Sequence, residues 1–298
     1  MISILIPTYN YNVFPLVKNL HEQCESENIV YEILVFDDAS QDKKIVGENS
    51  KINSLKDCCF DILEANIGRS KIRNLLAEKA KYNWLLFLDA DTFPSSSEFI
   101  KKYLSAFSKD TSIIFGGIDY PKNNSENFSL RHKYGCERES LPLAERLKNP
   151  YRSFITMGFA IKKEIFRKIK FNEKLAGYGY EDSVFANELQ KNNIPIHHID
   201  NPVIHLNLET NEDFINKSEL ALQNLLNFHE SGAIDSNKVK ILKTYLKLKN
   251  SRLLFAVSLL FRISEKKWRQ NLNSPKPSLF LFDLYRLGYL SSLKPKNA

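Results

Sequence analysis

The chain has 298 residues, 43% hydrophobic and 12% aromatic, with a formal net charge of +7. It is long enough for one large domain or two smaller ones, and apolar enough for a substantial core. Its four cysteines, Cys24, Cys58, Cys59 and Cys136, include no Cys-X-X-Cys and no evident disulfide framework, which argues against a zinc site and for reduced thiols in a cytoplasmic protein.

Met1 to Pro7 has neither the basic start nor the cleavage site of a signal peptide, and its apolar run is too short for one. No run approaches the roughly 18 apolar residues of a membrane-spanning helix. The charge is unevenly placed. Residues 236–298 hold 14 Lys and Arg against only Glu265 and Asp283, which leaves a net of −5 on residues 1–235. A basic tail on a mildly acidic body points to contact between the tail and an anionic surface.

Ile2 to Ile6 reads as a first strand, ending at Pro7-Thr8-Tyr9-Asn10. A helix follows from about Val13 to Glu27, with Phe14, Val17, Leu20 and Cys24 on one face. Tyr31 to Phe36 is a second strand that ends in Asp37-Asp38, and Phe60 to Leu63 a weaker third. Asn66-Ile67-Gly68-Arg69 then opens a helix to about Lys81, carrying Ile72, Leu75, Leu76 and Ala80. The fourth strand, Trp84 to Leu88, is apolar without alternation, as in a strand buried on both faces. This alternation of strands and helices predicts an α/β fold with a parallel sheet and crossover helices.

The fourth strand stops abruptly at Asp89-Ala90-Asp91, and Pro94 with Ser95-Ser96-Ser97 leads into a helix near Glu98. Two acids at i and i+2 thus leave the carboxyl edge of the sheet, where ligands of open α/β sheets bind. Such hard oxygen ligands suit Mg²⁺ or Mn²⁺ shared with a substrate's phosphates. Further on, Ser112–Gly117 and Ser153–Ile161 read as strands, and a last strand lies within Ile194–Leu206. Residues 119–152 lack periodicity and read as a long loop or lid. Gly177-Tyr178-Gly179-Tyr180-Glu181-Asp182 opens a helix to about Lys191, and beyond Glu209 the chain is helical.

Taken together, Ile6-Pro7-Thr8-Tyr9-Asn10, Asp37-Asp38-Ala39-Ser40, Asn66-Ile67-Gly68 with Arg73-Asn74, and Asp89-Ala90-Asp91 resemble the GT-A glycosyltransferases of family 2. The likeness spans residues 1 to about 207. It implies a Rossmann-like, mainly parallel mixed sheet over residues 1–210 and inverting transfer from a nucleotide-sugar donor, a UDP-sugar by preference, while residues 211–298 read from their own pattern as a basic helical region. Pro7, Thr8, Tyr9, Asp38, Asn66, Gly68, Arg73 and Asp89 would then hold the donor nucleotide. From the residues alone, Asp38 is also a turn former, Asn66 and Gly68 a helix entry, and Arg73 part of a solvated helix face beside Lys71.

The same resemblance makes Asp91 the direct Mn²⁺ or Mg²⁺ ligand, with Asp89 facing the ribose or the metal and His205 a further ligand. The glycine-rich Glu-Asp motif is similar to that of β-1,4-galactosyltransferases, which assigns Asp182 as general base and Glu181 as the residue orienting hydroxyls. His197-His198 is expected to be structural. Gly158 stands where many relatives carry Asn, a departure that bears on the acceptor side. The acceptor is expected to be a saccharide or lipid-linked saccharide of a cell-surface polysaccharide. The rival reading is a non-catalytic nucleotide-sugar binder or scaffold. A nucleotidyltransferase would need a Gly-rich loop, and Pro7-Thr8-Tyr9-Asn10 has none. Leu253 to Phe261, flanked by Arg252 and Arg262, has the composition of an interfacial helix, which would place the protein peripherally on the inner, anionic face of a membrane, or of a helical subdomain that packs on the core with its lysines solvated; no nucleic-acid partner is expected.

Overall fold

The computed structural model describes residues 1–122, 128–173 and 179–293. In chain order its strands are β1 (Ile2–Thr8), β2 (Tyr31–Asp37), β3 (Cys58–Ile62), β4 (Trp84–Leu88), β5 (Thr92–Pro94), β6 (Ile113–Phe115), β7 (Ile118–Asp119), β8 (Gly158–Lys162), β9 (Ile196–His198) and β10 (Val203–His205). Its α-helices are α1 (Phe14–Ser26), α2 (Lys43–Ser50), α3 (Arg69–Lys79), α4 (Phe99–Ala106), α5 (Ser129–Tyr134), α6 (Leu143–Lys148), α7 (Lys163–Lys168), α8 (Glu181–Lys191), α9 (Asn211–Glu230), α10 (Lys240–Asn250), α11 (Leu254–Leu272) and α12 (Leu279–Ser292). They fall into two compact units. One comprises Met1–Pro121, Glu139–Ala176 and Glu188–Asn207; the other comprises Lys122–Arg138, Gly177–Asn187 and Leu208–Ala298.

The first unit holds a seven-stranded sheet in the order β3-β2-β1-β4-β8-β6-β9. Parallel pairs join β1 to β2 and β4, β2 to β3, and β6 to β9; β8 runs antiparallel to both β4 and β6. The central strands are mostly apolar because both faces are covered, with Ser3 of β1 donating its hydroxyl to buried Glu32 of β2 at 2.6 Å. Ile2, Ile4 and Ile6 of β1 share a core with Val17, Leu20 and Cys24 of α1 and with Leu86 and Leu88 of β4. Phe87 alternates to the opposite face. There it stacks on Phe159 of β8, with ring centroids 5.0 Å apart, and meets Phe166 and Phe171. All four cysteines are free thiols, and burial pushes Cys24 and Cys58 up to about 12.

Two expectations need correction. The single strand expected within Ile194–Leu206 is two strands in different sheets. Pro202 cannot donate to a ladder, and Asn201 turns the chain by donating its N–H to the Gly116 carbonyl (3.0 Å) and its side-chain amide to the Phe99 carbonyl (2.9 Å). β10 therefore leaves the large sheet and joins a three-stranded one, β5-β10-β7. The irregular stretch expected over 119–152 contains α5, a π-helical turn at Gly135–Glu139, and α6. Helices this short carry too little periodicity to be read from sequence.

Arg146 of α6 is buried, and its guanidinium donates to the carbonyls of Leu141, Phe115, Gly116 and Ile199 at 2.9–3.3 Å. His198 is buried beside it, Nδ1 3.3 Å from Arg146 Nη1 and Nε2 3.1 Å from the Pro150 carbonyl. His198 is thus a structural residue. Burial, aided by the Arg146 charge, pushes its imidazole down to about 4. An unfolded chain takes up this proton near pH 6.5, the folded chain only near 4. Stability is therefore complete above pH 6.5 and declines as the pH falls toward 4. We expect this site to account for a loss on the order of 2 kcal/mol by pH 4.5, measured as a shift in urea midpoint. A His198→Gln variant should show a flatter acid limb; an unchanged limb would assign the loss to other groups.

The second unit has its own core, in which Phe214 and Ile215 of α9, Phe261 and Leu272 of α11, and Phe282 and Tyr285 of α12 pack together. A Cβ at Gly288 of α12 would lie 2.7 Å from the Phe261 Cβ, so α11 and α12 approach closely at this point. No described helix is long and apolar enough to cross a membrane.

Candidate active site

The carboxyl ends of β1 and β2 meet in register, Thr8 opposite Asp37, and the Asp38 N–H donates to the Thr8 carbonyl at 2.8 Å. The Asp38 carboxylate accepts from the backbone N–H groups of Ile67 (2.7 Å) and Gly68 (2.9 Å), while the Asn66 amide donates to the Asp38 carbonyl (3.1 Å). Gly68, at φ 83°, precedes α3 in a conformation that disfavours a side chain. Asp38, Asn66 and Gly68 therefore form one cluster that fixes the start of α3 against the end of β2. A carboxylate has about four lone-pair sites, so Asp38 can accept further. Beside it, Tyr9 is half exposed and Thr8 buried. Asn10 accepts from the N–H groups of Gln41 and Asp42 and so ties down the loop after β2.

Arg73 does not lie on a solvated helix face. It is 4% exposed, its Nη2 donates to Asp89 Oδ1 at 2.5 Å, and its Cζ lies 5.3 Å from the Phe171 ring centre. Nε and Nη1 are buried, with no hydrogen-bond partner among the described residues. Charge-assisted pairing of this kind fixes the orientation of a carboxylate. Asp89 is thereby held by α3, and Asp91, two residues on, has a different partner.

That partner comes from far along the chain. β5 and β10 pair antiparallel with His205 opposite Thr92, and the Leu206 N–H donates to the Asp91 carbonyl at 2.8 Å. Thr92 returns its N–H and hydroxyl to the Asp89 carbonyl, at 3.1 and 2.7 Å, closing the turn between the acids. The result puts His205 Nε2 3.2 Å from Asp91 Oδ2. His205 is buried, and Tyr120 meets its ring edge-on with centroids 5.8 Å apart. Two cis ligands of an octahedral ion at about 2.1 Å are about 3 Å apart, so this oxygen and nitrogen fit a shared divalent cation. Among the described residues no group of three or more His, Cys, Asp or Glu side chains could hold a metal by itself. Tyr11, which the motif reading passes over, is also near: burial and then the Asp91 charge push its phenol pKa upward.

Glu181 and Asp182 belong to the helical unit, where they occupy the first turn of α8. A carboxylate there is stabilised as the anion by the helix dipole. Gly177 and Tyr178 of their motif lie outside the described residues. Gly179 has φ 89° and Tyr180 φ 64°. A Cβ at Gly179 would come 2.5 Å from the Ala221 Cβ, so this glycine permits close approach to α9. The Tyr180 hydroxyl accepts from Arg286 Nη2 at 3.1 Å. At Gly158, a Cβ would lie 3.1 Å from Val203 Cγ1, which gives the departure at this position a packing cause.

The sequence pattern of the family described as Glycosyl transferase family 2 matches residues 3–170, more than half of the chain. The chain belongs to that family. A chondroitin synthase of Escherichia coli is 26% identical to this glycosyltransferase over 227 residues, covering 64% of the chain and 32% of the relative. An uncharacterized glycosyltransferase of Haemophilus influenzae is 32% identical over 95 residues, covering 30% and 29%. The chain thus spans about a third of the length of these curated relatives. Among solved structures, mannosyltransferase PcManGT from Pyrobaculum calidifontis, in complex with GDP-Man and Mn²⁺, superposes with a TM-score of 0.59 at 14% identity, covering 97% of this chain and 85% of that one. S. aureus TarS 1–349 in complex with UDP-GlcNAc gives 0.51 at 18%, covering 96% and 90%. At these identities the likeness is one of fold, and that fold is the GT-A type.

Proposed function

We propose that this glycosyltransferase moves a sugar, with inversion, from a nucleotide-diphosphate donor to a hydroxyl of a saccharide or lipid-linked saccharide, in the synthesis of a cell-surface polysaccharide. A UDP-sugar is the donor of first choice, and the enzyme works in the cytoplasm, peripherally at the inner face of the membrane. The observation that carries the reading is the Asp91–His205 pair, 3.2 Å apart beside the Arg73–Asp89 pair. The two fold neighbours support a nucleotide-sugar donor, since one is titled with GDP-Man and Mn²⁺ and the other with UDP-GlcNAc.

Asp91 and His205 would hold Mn²⁺ or Mg²⁺, the imidazole favouring Mn²⁺. When bound, the cation neutralises charge that builds on the diphosphate as the glycosidic bond breaks. Tyr9 offers a face for the base, and the free lone pairs of Asp38 accept the base's ring N–H, with Pro7, Thr8, Asn66 and Gly68 shaping that end. Arg73 aims Asp89 at the ribose or the metal and sets its positive charge beside the bound nucleotide. Asp182 takes the proton of the acceptor hydroxyl as its oxygen bonds to C1 and the nucleoside diphosphate departs. Glu181 orients the sugar hydroxyls.

A thermal-shift screen of UDP- and GDP-sugars with and without Mn²⁺ tests the donor half. One donor should raise the Tm more with Mn²⁺ than either does alone, by about 2.7 kcal/mol of stabilisation at a hundred times Kd. The absence of any such donor would overturn the reading. Donor turnover that rises on adding a saccharide acceptor separates the enzyme from a binder with a degenerate site, which would shift in Tm but release no nucleotide. Arg73→Gln should weaken donor binding about tenfold or more, because it removes a charged donor and frees Asp89.

A further inference from the structure

We infer that the outer face of α11 is a docking surface for an anionic lipid bilayer. This deepens the peripheral placement proposed above and does not depend on the reaction. The helix has two unlike sides. Phe261 and Leu272 face the core of the helical unit, tight against α12. On the other side Phe255 is 79% and Ile263 72% exposed, and Leu259 between them is also exposed. The spacing of 255, 259 and 263 sets the three in one row along the helix. The following turns turn basic, with Arg262, Lys266 and Lys267 exposed. Arg262 and Lys266 line a surface groove with Glu265, Arg269, Gln270 and Asn273. Ahead of the helix, Lys247, Lys249 and Arg252 are exposed as well. Residues 236–298 carry only two acids, and Arg269 is paired with Glu212 and Glu219 of α9, at 2.9 and 3.5 Å, so the excess charge rests on the exposed Arg262, Lys266 and Lys267.

An apolar row followed by cations on one face needs a partner that is apolar and anionic at once. The interface of an anionic bilayer is such a partner: the row enters the acyl boundary while the long basic side chains stay at the phosphates. A second copy is a poor fit. Pairing two such faces would set Arg262, Lys266 and Lys267 against each other or against the apolar turns, with only Glu265 among the groove residues to receive them.

Flotation of the full chain with phosphatidylglycerol-containing and pure phosphatidylcholine vesicles tests the inference. Recovery with the anionic vesicles should exceed that with neutral ones and should fall with salt. Phe255→Ser with Ile263→Ser should lower partition at least about tenfold. Lys266→Gln with Lys267→Gln should lower it about 25-fold, at roughly fivefold per basic side chain. All four substitutions are at exposed positions, and an unchanged Tm confirms that each variant is folded. Equal recovery with both vesicles, no recovery with either, or full binding by the Ser variant would overturn the proposal. So would a concentration-dependent dimer in light scattering that the Ser variant abolishes, since the occupant would then be a second copy. The donor-dependent thermal shift should persist in every variant, which keeps failure here separate from failure of the transferase reading.

Discussion

Asp182→Asn should lower kcat by about 10²–10⁴-fold, the usual cost of losing a general base. The variant keeps size and hydrogen-bonding capacity but cannot accept the acceptor proton. Donor KM should change little, because the proposed nucleotide contacts, Asp38, Arg73 and Asp91, are all in the sheet unit. A loss confined to kcat marks an interaction made mainly in the transition state. The competing explanation is that Asp182 only serves the first turn of α8. Losing a charge there costs about 0.3–1 kcal/mol of stability and no catalysis. Kinetics at saturating metal decide between them: near wild-type kcat would remove Asp182 from the mechanism and leave Glu181 as the base.

Asp91→Asn should abolish the Mn²⁺-dependent part of the donor thermal shift and lower kcat/KM by about 10³-fold, matching the several kcal/mol of charge stabilisation a metal supplies. His205→Ala should act in the same direction but less severely. It leaves the carboxylate in place and should raise the half-saturating Mn²⁺ concentration by more than about 100-fold, beyond the roughly 10–100-fold that loss of an outer-sphere contact costs. The two effects should be strongly non-additive, since both variants break one pair. Full activity of the wild type in excess EDTA would dismiss the metal altogether, and additive losses would show that Asp91 and His205 act separately.

The residues whose roles are set by short-range pattern were legible before the fold was known. The unbroken apolar run Trp84–Leu88 marks β4 as a central strand, and its abrupt end places Asp89 and Asp91 at the sheet's carboxyl edge. Residues whose roles depend on distant pairing were not. Lys71 beside Arg73 suggests a solvated face, but Asp89 and the Phe171 ring make Arg73 a buried residue. Tyr11 falls just outside the motif and comes near Asp91 only in three dimensions. Arg146 looks like loop charge until four carbonyls, three of them at the ends of β6 and β9, converge on it. The small sheet that aligns His205 with Asp91 is built of strands two and three residues long, below the length at which alternation is visible.

That small sheet also determines where the protein can be shortened. The family pattern ends at residue 170, and a fragment cut there would retain β1 to β8, Asp38, Arg73, Asp89 and Asp91. It would lose β10, and with it both His205 and the strand that receives β5. Such a fragment would keep the residues proposed to bind the nucleotide base, yet would lack the imidazole proposed to share a divalent ion with Asp91. During synthesis the same constraint acts in time. The two halves of the proposed cation site are separated by more than a hundred residues of chain, and they cannot meet until the return strand has left the ribosome.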